Sequence, residues 1–207
     1  MAELTRTIAS EAFADRDELV VRLKEGDESA FDEVFQLYKD MVYTLALKLL
    51  ADKGESMDVT QEVFLTLFRK IHSFRGECSL KTWLYRVAIN QAANRNRWWK
   101  RHLQSRTVSL SISNEPDRPA VRELPSNQPS PLRDCYSAEL RKALEKTLSE
   151  LPFEQRVTIT LRDVEGLAYE EIAEVTSTSI GTVKSRIARA RIRLRDQLQK
   201  FKGGEEL

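Results

Sequence analysis

The chain has 207 residues, 41% of them hydrophobic and 31% charged, with a formal net charge of +1. That length suffices for one or two globular domains. No apolar run approaches the roughly 20 residues of a membrane span, and the mixed, acidic N-terminus is unlike a signal peptide, so the protein is expected in the cytoplasm. Helix formers dominate, and glycine and proline are scarce outside one stretch, which favours an all-α chain.

Residues 1–16 are short and polar. A first helix is predicted from Asp17 to Glu25 on Leu19, Val20 and Leu23. A second runs from Ser29 to about Ala51. Its Phe31, Val34, Phe35, Tyr38, Val42, Leu45 and Leu49 recur at spacings of three and four, drawing one apolar face. Gly54 is suited to the turn that ends it. A third helix is predicted to begin near Ser56 or Asp58, with Asp58 and Gln61 as a capping box and Val59, Val63, Phe64, Leu67, Phe68 and Ile71 as its stripe. After a break at Ser73 to Ser79, a fourth helix runs from about Leu80 to His102. Leu80, Trp83, Leu84, Val87 and Ala88 face inward; Arg86, Asn90, Asn94, Arg97 and Arg101 lie opposite.

From Ser105 to Arg133 the character changes. Pro116, Pro119, Pro125, Pro129 and Pro131 accumulate and apolar periodicity vanishes, which marks an extended, flexible linker. The chain thus divides into a helical domain at 17–104, a linker at 105–134 and a second helical domain at 135–202. In the second, Leu140, Ala143, Leu144, Leu148 and Leu151 give one helix and Phe153 to Arg162 another. Tyr169 to Val175 is a short helix, and Ser179 is placed to cap a last one from Ile180 to about Lys200.

Tyr169 to Arg195 has the lengths of a helix-turn-helix. Ile172 and Ala173 should pack on Ile180, Val183 and Ile187, leaving Thr182, Lys184, Ser185, Arg186 and Arg189 outward. Those residue types suit base edges and phosphates of a major groove. Although the net charge is near zero, positive charge is sorted into two clusters. One holds Arg95, Arg97, Lys100 and Arg101; the other holds Lys184, Arg186, Arg189, Arg191, Arg193 and Arg195. Cys78 and Cys135 are far apart, without metal-ligand spacing, so free thiols are expected and neither a metal nor a cofactor. No phosphate loop or nucleophile motif is present, so no enzyme is expected.

Two separate stretches carry a family resemblance. Leu167 to Ala173, Ile180 to Arg191 and Leu151 to Arg156 resemble the C-terminal domain of extracytoplasmic-function sigma factors, in the sigma-70-like family. Asp58 to Phe64 resembles the polymerase-binding helix of that family. Phe74-Arg75-Gly76 and Thr82 to Asn90 resemble its −10 loop and helix. The resemblance implies that Thr182, Lys184, Ser185, Arg186 and Arg189 read the −35 element of a promoter. It implies that Phe74, Arg75, Arg86, Asn90, Asn94 and Arg97 read and open the −10 element, where an unstacked base needs a polar pocket and basic flanks. It implies too that Asp58, Gln61, Glu62, Thr66 and Arg69 bind a coiled coil of the largest subunit of core RNA polymerase, and that an anti-sigma factor restrains the protein. The linker would follow a polymerase channel.

Thr176-Ser177-Thr178 departs from the family's usual apolar-Gly-apolar turn and would require a positive φ at Ser177. Trp83 reads as a core aromatic. Trp98 and Trp99 either stack at the duplex fork or cover the domain edge. The alternative reading is a stand-alone helix-turn-helix regulator that binds an operator, which would have no reason to carry a polymerase-binding helix.

Overall fold

The computed structural model describes residues 18–105 and 131–203, the side chains of 100, 102–105, 131–138, 140–141 and 200–203 excepted. The expected N-terminal tail and most of the expected linker lie outside the described residues. Among the described residues there are helices and turns only. They are α1 (18–25), α2 (Glu28–Leu50), α3 (Lys53–Lys70) with a 3-10 turn at Ile71–Ser73, and α4 (Leu80–Ser105). After the undescribed segment come α5 (Pro131–Glu150), α6 (Phe153–Ile159) with a π turn at Thr160–Val164, α7 (Tyr169–Thr176) and α8 (Ile180–Gly203). Helix α5 begins at Pro131, within the last residues of the expected linker, with the proline in the first-turn position that tolerates it.

The helix ends follow local chemistry. The Asp27 carboxylate accepts the Ser29 N–H and starts α2; hydrogen bonds from Ser29 and Arg22 hold its pKa down at about 2. The end of α2 is not at Gly54. Ala51 takes the left-handed conformation (φ 57°) and its N–H returns to the Leu47 carbonyl. Asp52 then caps α3 at once, accepting the Glu55 N–H at 2.8 Å. Gly54 therefore lies within the first turn of α3, and Asp58 lies a turn further in rather than at a capping box. Ser79 starts α4 by accepting the Thr82 N–H at 3.0 Å.

Helices α2, α3 and α4 pack pairwise around Leu23, Val34, Val42, Leu45, Val63 and Leu84. Helices α5, α6 and α7 pack around α8. The two groups are not held apart. The end of α2 touches α5, α6 and the π turn, α4 touches α7, and one apolar cluster runs through both groups. Two modules are thus present, docked on each other.

Candidate nucleic-acid and polymerase interfaces

The helix-turn-helix is built as its apolar pattern requires. Ile172 and Val175 of α7 and Val183, Ile187 and Ala190 of α8 are buried. Full burial of each larger aliphatic side chain stabilises by about 1.5–3 kcal/mol. Ile180, expected in that core, is 39% exposed, because it falls at the first residue of α8, beyond the crossing with α7. Ser177 adopts φ 51°, and the Thr176 and Thr178 hydroxyls hydrogen bond each other at 2.9 Å beside it. The turn without glycine is held by its threonines. Ser179 accepts the Thr182 N–H at 3.2 Å and caps α8.

Outward from that core stand the residues expected to touch DNA. Lys184 and Arg189 are exposed. Lys184 lies 5.8 Å from the Tyr169 ring, whose centroid is also 4.9 Å from the Arg162 guanidinium. Thr182 and Ser185 are half-buried, with the Ser185 hydroxyl donating to the Thr182 carbonyl. Arg186 differs. It is ion-paired to Glu154 of α6 at 3.1 Å, and its Nη1 is buried. Arg191 is likewise paired, with Asp163 at 2.6 Å.

On α3, Asp58, Gln61 and Glu62 line a polar depression of about 410 Å³ with Gln91 and Arg95 of α4. Arg95 reaches Glu55 at 3.3 Å and Asp58 at 3.5 Å, and Arg69 reaches Glu62 at 3.3 Å. Thr66 is half-buried. Beside this flank, between α2 and α3, opens a larger apolar groove of about 930 Å³ that shares Asp58 and Gln61. Phe35, Met57, Leu65 and Phe68 line it and are exposed, Phe68 by 63%. Periodicity assigns Phe35 and Phe68 to the core. The apolar stripe is wider than the α2–α3 contact, and these two rings fall on its open side, where Phe68 meets Phe31 and Phe35 meets Phe64.

The loop between α3 and α4 turns through Gly76 at φ 74°. Arg75 is exposed, its Nη1 4.0 Å from the Glu77 carboxylate. Phe74, by contrast, is only 8% exposed and meets Trp83 edge-on at 6.3 Å. It anchors the loop rather than offering its ring. Along α4, Asn90, Asn94, Arg97, Trp98 and Trp99 are exposed, with the Arg97 guanidinium donating to the Asn94 side-chain Oδ1. Arg86 points elsewhere, to α7 of the other module. Among the described residues no group of His, Cys, Asp and Glu could hold a metal ion, and no helix is long and apolar enough to cross a membrane.

Family models for sigma-70 region 2 and sigma-70 region 4 match residues 34–101 and 141–194, respectively. The RNA polymerase sigma-H factor of Pseudomonas aeruginosa is 36% identical over 191 residues, 88% of this chain and 93% of the relative. The ECF RNA polymerase sigma-E factor of Escherichia coli K12 is 37% identical over 182 residues, 87% of this chain and 93% of the relative. The chain is a sigma factor of the extracytoplasmic-function type. Among solved structures, the sigma factor RpoE in complex with the anti-sigma factor NepR from Bartonella quintana superposes on it with a TM-score of 0.60 at 25% identity. That match covers 82% of this chain and 96% of the other. CnrH in complex with the cytosolic domain of CnrY has the same fold, with a TM-score of 0.64 at 20% identity over 89% of this chain and 97% of the other.

The region 2 match holds α3, the loop and α4 of this sigma factor, and the region 4 match holds the helix-turn-helix. Between them run contacts that no local pattern announces. The Arg156 guanidinium, buried, donates to the Leu49 carbonyl at 2.7 Å and to the Leu151 carbonyl at 3.3 Å; burial pushes its pKa down. Tyr85, buried in α4, donates its hydroxyl to Glu165 at 2.8 Å, and burial followed by that carboxylate holds the phenol far above its ordinary pKa. Arg86 donates to the Glu174 carbonyl at 2.9 Å. Its Nη1 also approaches the Cys78 sulfur at 3.7 Å, and burial raises the pKa of that thiol. Cys78 is free; the side chain of Cys135 lies outside the described ones.

Proposed function

We propose that this sigma factor binds core RNA polymerase through the α2–α3 face and directs initiation at promoters read by two separate helices. The observation that carries the reading is the order and geometry of three surfaces on one chain. An apolar groove with an acidic flank lies on α2 and α3, a polar and basic face lies on α4, and a helix-turn-helix follows. The groove and flank suit a helical partner carrying apolar and basic side chains, and the family's docking element on the polymerase largest subunit is a coiled coil. Met57, Phe35 and Phe68 join Asp58, Gln61 and Glu62 in this role, while Arg69 orients Glu62.

The −35 element would be read by Lys184 and Arg189, with Thr182 and Ser185 near phosphates. Arg186 serves instead as a brace, because its guanidinium is held by Glu154 between α6 and α8. The −10 element would meet Arg75, Asn90, Asn94 and Arg97, which are exposed along the loop and α4. Phe74 supports that loop from beneath. An anti-sigma factor is a further expected partner, since solved structures of similar fold are complexes with such proteins. The protein would act in the cytoplasm, where the polymerase is.

The test is purified protein with core polymerase on a cognate promoter. The reading requires a complex with core and transcripts from a defined start. Binding to duplex DNA alone, with transcription blocked and no complex with core, would establish the operator-binding regulator instead.

A further inference from the structure

Two adjacent tryptophans stand near the end of α4, Trp98 43% and Trp99 40% exposed, their rings edge-on at 5.2 Å. They play different parts. At about 3.6 residues per turn, Trp99 comes almost into line with the fully buried Ala92 and continues the core side of the helix. Trp98 is turned roughly 100° away from that line. It shares a face with Gln91, Asn94 and Arg101, at spacings of three and four. With Arg95 and Arg97 these residues line a depression of about 330 Å³.

The lining selects a ligand by its chemistry. Three guanidinium groups around one small depression favour an anion, and an indole wall favours a flat aromatic group. The primary amides of Gln91 and Asn94 can each donate to and accept from the edge of a base. Arg95 is tied to Glu55 and Asp58, and Arg97 to the Asn94 Oδ1, so these two arginines shape the walls. Arg101 is exposed at the rim. A nucleotide joins a flat base to an anionic phosphate and answers the whole set. The volume is at the lower end of the roughly 300–1,000 Å³ of small-ligand pockets, enough for a single nucleotide rather than a stretch of duplex. A base can lie flat on Trp98 only after leaving its own stack.

We propose that this depression holds one unpaired nucleotide of the opened promoter strand. Its base stacks on Trp98, its edge meets Gln91 or Asn94, and its phosphate meets Arg101. The site is distinct from the loop before α4, which lies at the other end of the helix. Trp98 follows Asn90 by eight residues, about 12 Å along the axis. Nucleotides of one strand rise about 3.4 Å each, so the bound base is roughly three or four nucleotides from the one at Asn90. It lies on the upstream side, where α4 leads into the linker and the −35 module. This inference rests on the function proposed above.

A cycle between protein and DNA tests it. Holoenzyme assembled from the full chain and core polymerase is titrated with a labelled single strand of the cognate promoter, and an abasic site is walked along that strand. Trp98→Ala should weaken binding roughly five- to a hundredfold, the loss expected for one stacked base, and Trp98→Phe should retain most of the affinity. With the abasic site at the proposed position, Trp98→Ala should cost nothing further; at every other position the two losses should multiply. Trp99→Ala should multiply with all of them. Independent losses at every position, or a non-additive position elsewhere, overturn the site. Saturable quenching of tryptophan fluorescence by a free mononucleotide, with no such coupling to the strand, would assign the depression to a free ligand and overturn it as well. Should Trp98→Ala fail to bind core, Trp98→Leu, which keeps apolar bulk but has no ring, takes its place. If the unsubstituted protein forms no complex with core, the proposed function fails, and the same cycle on the free chain at low salt decides the site.

Discussion

Replacing Arg186 separates a group that touches DNA from one that positions the helix carrying it. The Arg186 side chain is 22% exposed and faces Glu154, which is 61% exposed, across 3.1 Å. With one partner in solvent, the pair itself contributes about 1 kcal/mol or less after screening. Arg186→Gln should therefore cost the C-terminal module little stability and weaken binding to a −35 duplex by at most about fivefold, through a looser recognition helix. The decisive quantity is the dependence of affinity on salt. Each cation that neutralises a phosphate contributes about 0.9 to the slope of log affinity against log salt. Lys184→Gln and Arg189→Gln should each flatten the slope by about that amount. Arg186→Gln should leave it unchanged, and exchanging the charges, Arg186→Glu with Glu154→Arg, should recover most of the affinity lost in Arg186→Glu alone. The assay is fluorescence anisotropy of a labelled duplex between low and physiological salt. A slope that falls as far for Arg186→Gln as for Arg189→Gln would show Arg186 on the DNA and refute the brace.

Ile172→Ala empties a fully buried site in the helix-turn-helix and should cost about 2–5 kcal/mol, abolishing −35 binding while core binding survives; calorimetry and co-migration with core polymerase report the two effects. Asp58→Arg reverses charge on the flank of the apolar groove and should weaken association with core before it affects binding of a −35 duplex, as read by competition against an unsubstituted sigma factor. The Asp27 carboxylate is held at about 2 against an ordinary 3.8. Because the folded-state pKa is the lower, the contribution of this cap is present above about 3.8 and lost as pH falls through about 2. Asp27→Asn should flatten the decline of the melting temperature over that interval. The Cys78 thiol, raised by burial, should alkylate more slowly at neutral pH than a free model thiol, and faster in Glu174→Ala, which removes a nearby carboxylate that also raises it.

Much of the fold is legible in the sequence because it depends on short-range repetition. Val34, Val42 and Leu49 recur at helical spacing, and all are buried. The helix-turn-helix follows from Ile172, Val183 and Ile187 and from the cap at Ser179, all within one short stretch. The end of α2 is harder to place. Glycine is the residue expected in a left-handed turn, yet Ala51 takes that conformation because Asp52 immediately caps the next helix. Phe35 and Phe68 escape the pattern for another reason. Periodicity shows which side of a helix is apolar, but not how much of that side a neighbour covers.

The linear chain determined the helices, their order, the two modules and the family, because each rests on residues within a few turns of one another. Only the tertiary structure decided which cations remain available to a polyanion. Arg86 meets Glu174, Arg156 meets Leu49 and Arg186 meets Glu154, while Lys184, Arg189 and Arg75 stay at the surface. All these residues look alike in a count of basic residues. What distinguishes them is an acid or a helix terminus brought alongside from a distant part of the chain, and charge neutralisation acts through distance in space rather than distance along the backbone.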